Sequence, residues 1–303
     1  MRGYGGINQY FLRGNETMKI GIDSYCYHRF FGESYPDQDK PTKQMTMKDF
    51  INRAKELKVD GVSIDTCFLE STEKSYLEEL NAMLDEYGLQ RVWAWGHPLG
   101  LERGLNPDAF NEMKSMIPLT KTIGADVMRV VASNRRFRHE NHKEQLDRLL
   151  VQLREAVKIA ADCGVALAVE NHQDFTTAEI LSLVEGVASP WFGVTYDNGN
   201  SLRLMEDPVQ SMELLAKYTF AVHLKDMAVN NKEAKPSDWF YFSCVPIGRG
   251  VMDNLGMLNV LAKAGFKGFL ALEIDHPHYD WRNREDEAVA LSVEGMKKLA
   301  AGV

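Results

Sequence analysis

Eight short apolar runs, each followed by a segment of helical spacing, predict a closed (β/α)8 barrel of parallel strands joined by crossovers. Two observations favour closure over an open doubly wound sheet. The count of eight is that of a barrel. The first run leads into "SYCYHRFFG" (24–32), which lacks the glycine-rich phosphate fingerprint that such sheets often carry there.

The elements follow in order. "MKIGID" (18–23) is the first strand and "TMKDFINRAKEL" (46–57) the first helix, with Thr46 as its cap. "DGVSIDT" (60–66) precedes the helix "STEKSYLEELNAMLDEYG" (71–88). "QRVWAWG" (90–96) precedes the helix 106–124, "DVMRVVA" (126–132) the long helix 141–164, and "VALAVEN" (165–171) the helix 176–188. "FGVTYDN" (192–198) leads to 207–218, "TFAVHLKD" (219–226) across a long insertion to 253–265, and "GFLALEID" (268–275) to 284–302. No internal boundary stands out, so 18–303 reads as one barrel domain, a size such barrels reach. Residues 1–17 read as an N-terminal extension, with Met18 as an alternative start.

Composition narrows the function classes. Hydrophobic residues at 45% and charged residues at 26% are an ordinary globular balance. A net charge of −8 disfavours a nucleic-acid-binding surface. No apolar run approaches the roughly 18 residues of a membrane span. The first residues lack an apolar signal core, which gives a cytoplasmic expectation. Cys26, Cys67, Cys163 and Cys244 have no paired spacing and read as reduced thiols.

Barrel strands are apolar until their C-terminal ends, where side chains meet solvent and substrate. Alternation puts residues two apart on one side. Glu170 then shares a side with His172, His223 with Lys225, Glu273 with Asp275, Asp197 with Gly199, and Trp93 with Trp95 and His97. Glu170, Asp197, His223 and Glu273 end strands five to eight, on adjoining staves. Three carboxylates facing one another in a partly dry pocket repel, and a divalent cation removes that cost. Oxygen-rich ligation with one imidazole suits Mn²⁺ or Mg²⁺, with Co²⁺ or Zn²⁺ as alternatives.

"VENH", "YDNGN", "VHLKD" and "ALEID" resemble the strand-end motifs of the xylose isomerase-like TIM barrels, and more narrowly of their sugar phosphate isomerase/epimerase branch. That branch includes tagatose and psicose 3-epimerases, hydroxypyruvate isomerase and inosose dehydratase. The resemblance runs from about Lys19 to the C-terminus and implies that Glu170, Asp197, His223 and Glu273 hold one divalent metal. It further implies that Glu170 and Glu273 serve as the acid/base pair of an isomerase or epimerase acting on a keto sugar. The reaction would pass through proton abstraction and an enediolate. His172, His97, Lys225 and Trp95 are the expected substrate contacts. "PIGRGVMD" (246–253) resembles the family's G-x-G turn, with Arg249 where an acidic residue is frequent, so Arg249 joins them as an altered contact.

Other features receive plainer readings. Lys225 either meets a substrate oxygen or pairs with Asp226 or a ligand carboxylate. Arg135, Arg136 and Arg138 follow the fourth strand and read as a solvated loop, with phosphate binding as the alternative. His276 or Arg282 reads as a further candidate for substrate contact. "SDWFYF" (237–242) either closes over the pocket or packs against a second copy in a homo-oligomer. The expected partner is a small carbohydrate, with neither nucleic acid nor membrane. Three alternatives remain: a lyase dehydrating a keto-cyclitol or keto-sugar at the same metal site, an endonuclease IV-like phosphodiesterase, and a non-catalytic sugar binder. The phosphodiesterase needs more ligands from earlier strands than His97 and His139 supply.

Overall fold

The computed structural model describes residues 18–303, and the extension read over 1–17 lies outside them. The first half of the barrel runs β1 (Lys19–Asp23), α1 (Met47–Leu57), β2 (Gly61–Asp65), α2 (Lys74–Glu86), β3 (Gln90–Ala94), α3 (Pro107–Thr122), β4 (Val127–Val130) and α4 (His142–Cys163). The second half begins β5 (Ala166–Glu170), α5 (Thr177–Val187), β6 (Phe192–Asp197), α6 (Asn198–Arg203), α7 (Pro208–Leu215) and β7 (Thr219–Leu224). It ends β8 (Asp226–Val229), β9 (Phe242–Val245), α8 (Asn254–Lys263), β10 (Phe269–Leu272) and α9 (Glu285–Ala300). Eight of these strands, all but β8 and β9, close in the order β1-β10-β7-β6-β5-β4-β3-β2, every pair parallel. The predicted barrel is therefore present, with its strands and major helices where the periodicity put them. Thr46 caps α1 as expected, in a reciprocal capping box with Asp49.

Alternation sorts each strand into a side facing the helices and a side facing the axis. The apolar bulk lies between strands and helices, in one cluster that includes Ile22, Phe50, Ile64, Trp93, Trp95, Leu153 and Val194. The axis holds a second, small cluster of Val92, Ala221, Phe269 and Ala271. Phe269 plugs it. A Cβ on Gly21 would fall 2.4 Å from the Phe269 ring and one on Gly61 2.7 Å, so both strands need glycine there. Further along the same axial side come Asp23, Asp65, Arg129, Glu170, Asp197, His223 and Glu273, all buried.

Three local features depart from the sequence reading. The chain turns into α6 immediately after Asp197, so Gly199 is helical and does not continue the strand's inward row. The seventh strand, read through Asp226, stops at Leu224, and Asp226 opens the antiparallel hairpin β8–β9. Trp93 and Trp95 belong to the side facing the helices. Trp95 is fully buried, and its indole Nε1 donates to Glu112 on α3 at 3.3 Å.

Candidate metal centre

The site starts where four strand ends run out of ladder partners. Asp197 on β6 pairs in register with His223 on β7, and His223 with Ala271 on β10, two residues before Glu273. Side-chain amides take over the ladder's work. Asn171 accepts from the backbone N–H of Asp197 at 2.7 Å and donates to its carbonyl at 2.8 Å. Asn198 does the same for Lys225, at 2.8 and 2.9 Å. Asp197 Oδ1 caps α6 through Asn200 N–H at 3.0 Å, which leaves Oδ2 facing the axis. "VEN" and "YDN" are thus clamps that hold the next strand's end in place.

Glu170, Asp197, His223 and Glu273 each offer one ligand atom, all within 4.8 Å of one another, and all four side chains are buried. His223 Nδ1 lies 2.8 Å from Glu273 Oε2, 3.8 Å from Glu170 Oε1 and 3.9 Å from Asp197 Oδ2. On the far side of the ring, Nε2 lies 3.4 Å from Asp23 Oδ2, a carboxylate placed to orient the imidazole.

The donor set fits a divalent cation on two grounds. First, both His223 nitrogens, Glu273 Oε2 and Asp23 Oδ2 are buried without an aligned hydrogen-bond partner. Such groups cost about 1–3 kcal/mol each when left unmet. Second, the charges do not balance. Burial and the adjacent Asp23 raise the Asp65 carboxyl well above its ordinary range. Five further carboxylates lie with it, Asp23, Glu170, Asp197, Glu273 and Asp275. Against them stand three fixed cations, Arg129, Lys225 and Arg203, so negative charge is in excess. Without an ion, protons meet part of the excess. Burial pushes the Asp197 carboxyl up to about 7, Lys225 pulling against it and Glu273 and Glu170 adding to it. Burial disfavours the charged form of His223, yet Glu273, Asp23 and Glu170 overcome it and raise the imidazole well above its ordinary range.

Arg129, like Asp23 and Asp65, was not singled out from the sequence. Its guanidinium pairs with Glu170 Oε2 and lies 3.5 Å from Asp65. Asn200 Nδ2 donates to Glu170 Oε1 at 3.0 Å. Burial opposes the charge on Glu170, but Arg129 and His223 hold its carboxyl well below the usual range. A signal existed: an arginine inside the apolar run "DVMRVVA" is tolerated only with a buried partner.

The other expected residues fall into two groups. Lys225 is fully buried and joins the cluster, its Nζ 2.7 Å from Asp197, 3.2 Å from Glu273 and 2.9 Å from Asp275. Burial opposes its charge, and those carboxylates keep it well above the ordinary lysine range. Asp226 is not its partner, because that carboxylate accepts from the backbone of Gly248 and Gly250 at 2.8 and 3.0 Å. His172 is half-buried, with Nδ1 unpartnered. Burial holds its imidazole below the ordinary range, against the pull of Glu170, so it is neutral. His97, half-buried, stacks on Trp95 at 5.2 Å. Arg249 is exposed over Trp281, 5.2 Å from the ring, and is not drawn to the carboxylates. The G-x-G turn therefore wraps Asp226, and a Cβ on Gly250 would fall 2.0 Å from that carboxylate.

The family model described as xylose isomerase-like TIM barrel matches residues 51–300. The chain belongs to that family. Among its relatives is the 3-oxo-isoapionate decarboxylase of Pectobacterium atrosepticum, 24% identical over 191 residues, which are 62% of each protein. The match thus spans less than two thirds of that relative. The rhizopine catabolism protein MocC of Rhizobium meliloti is 27% identical over 219 residues, 65% of this chain and 66% of that one. Two solved structures share the fold. A xylose isomerase domain protein from Planctomyces limnophilus has a TM-score of 0.74 at 18% identity, covering 96% of this chain and 99% of that one. The D-psicose 3-epimerase of Clostridium cellulolyticum, solved with D-tagatose, has a TM-score of 0.70 at 15% identity, covering 93% and 99%. Among the described residues of this family member, no helix is long and apolar enough to cross a membrane.

Proposed function

We propose that the chain is a divalent-metal-dependent isomerase or epimerase of a small keto carbohydrate, working through an enediolate. The observation that carries this is the buried set Glu170, Asp197, His223 and Glu273, whose ligand atoms converge at the C-terminal ends of the barrel strands. A bound divalent ion, Mn²⁺ or Mg²⁺ by donor type, would supply Lewis-acid stabilisation of the enediolate's charge. The chain's own residues do the rest. Glu273 is the carboxylate nearest solvent of the four and takes the proton from the carbon next to the carbonyl. Neutral His172 accepts or donates a hydrogen bond to a substrate hydroxyl. Lys225, held charged, adds a fixed positive charge beside the developing oxyanion.

Glu170 is less free than Glu273. Arg129 occupies Oε2, and Asn200 already donates to Oε1. An epimerase needs a second group to return a proton on the opposite face, whereas a lyase that expels water or carbon dioxide does not. This favours a lyase as the second reading, and the decarboxylase relative is in keeping with it.

The test is to follow solvent deuterium into carbon while Mn²⁺-loaded protein is offered ketoses, keto-acids and inososes. Exchange next to the carbonyl with the carbon skeleton kept is the expected result. Loss of water or carbon dioxide would select the lyase. Conversion with hydrogen moved internally and no solvent label would overturn the proton-transfer reading.

A further inference from the structure

Above the metal ligands, the loop after β4 and the β8–β9 hairpin meet at Trp239. Arg135 and Arg203 each place a guanidinium 5.0 Å from that indole ring. Their situations differ. Arg203 is spoken for by Asp275, which also holds Lys225 and so leads down to Asp197 and Glu273. Arg135 is exposed and has no carboxylate partner among the described residues. Its neighbours Arg136 and Arg138 are likewise exposed and likewise lack one. Tyr35 and His276 close the same rim, at 6.1 and 5.2 Å from Trp239. In a chain of net charge −8, three uncompensated arginines gather on one loop at the mouth of the proposed active site.

We infer that Arg135 is an anion-recognising group for the end of the substrate remote from the metal, so that the substrate is a sugar phosphate or a sugar acid and not a neutral sugar. This rests on the proposed function only for the location of the active site. A guanidinium stacked on an indole keeps its edge free and its orientation fixed. Its two parallel N–H groups match the oxygens of a phosphate or a carboxylate. Desolvation beside Trp239, with Arg136 alongside, lowers the affinity of Arg135 for its proton, as expected of a cation still lacking its counter-ion. Arg136 and Arg138 then steer the anion inward.

Binding decides this without any turnover. Mn²⁺-loaded protein is titrated calorimetrically with a pentitol 5-phosphate, the matching pentonate and the neutral pentitol. One or both anions should bind at least about tenfold tighter than the pentitol. Arg135→Ala should erase that preference while changing pentitol affinity less than about twofold, and Arg135→Lys should restore part of it. A preference for phosphate alone or pentonate alone identifies the anion. An unchanged anion-to-neutral ratio in Arg135→Ala overturns the inference, as does the absence of binding by all three probes. Should solvent exchange fail while the ratio collapses, the chemistry proposed above is wrong and the anion site stands.

Discussion

Glu273→Gln, fully loaded with Mn²⁺, is expected to exchange substrate carbon protons about 10²–10⁴-fold more slowly than the parent protein. Glutamine keeps an oxygen for the metal and cannot accept a proton at neutral pH. The parent carboxylate lies against His223 and Lys225, which favour its charged form over the penalty of burial. Metal content measured on the same sample separates a lost base from a lost ligand. His172→Ala should be milder and raise KM more than it lowers kcat, because that imidazole positions substrate. A Glu273→Gln rate near the parent's would mean that Glu273 is not the base.

The second large effect is on stability. Arg129→Met removes the partner of a fully buried Glu170 and leaves Asp65 without its nearby cation. Breaking a buried pair from one side typically costs about 3–5 kcal/mol. A divalent ion would also neutralise Glu170, so the loss should be smaller in Mn²⁺ than in chelator. Urea unfolding under both conditions measures it. An equal loss in metal and chelator would mean that Arg129 and the cation site do not share Glu170.

Local pattern carried most of the architecture. A barrel strand announces itself by an apolar run, and a helix by its spacing and cap, as at Thr46. Glu170, Asp197, His223 and Glu273 were legible because each interrupts such a run at its C-terminal end. Arg129, Asp23 and Asp65 were not singled out, although "IGID" and "VSID" also end in acid. Their importance lies in meeting side chains from other strands, Asp23 with His223 and Arg129 with Glu170, and periodicity says nothing about which staves face each other. Trp95 shows the converse. Its row on β3 was legible, but which side of the strand faces the axis depends on register with Asp65 and Arg129. The β8–β9 hairpin was read as irregular, because its two short strands are separated by a polar loop and are stabilised by contacts with Tyr35 and His276.

The proposed enzyme requires one divalent ion held jointly by Glu170, Asp197, His223 and Glu273. Elemental analysis of protein purified without chelator, then saturated with Mn²⁺ and desalted, tests it directly beside His223→Ala. About one ion per parent chain and a marked loss in the variant are expected. Equal metal content in the two proteins, or a parent chain that retains none, would contradict it.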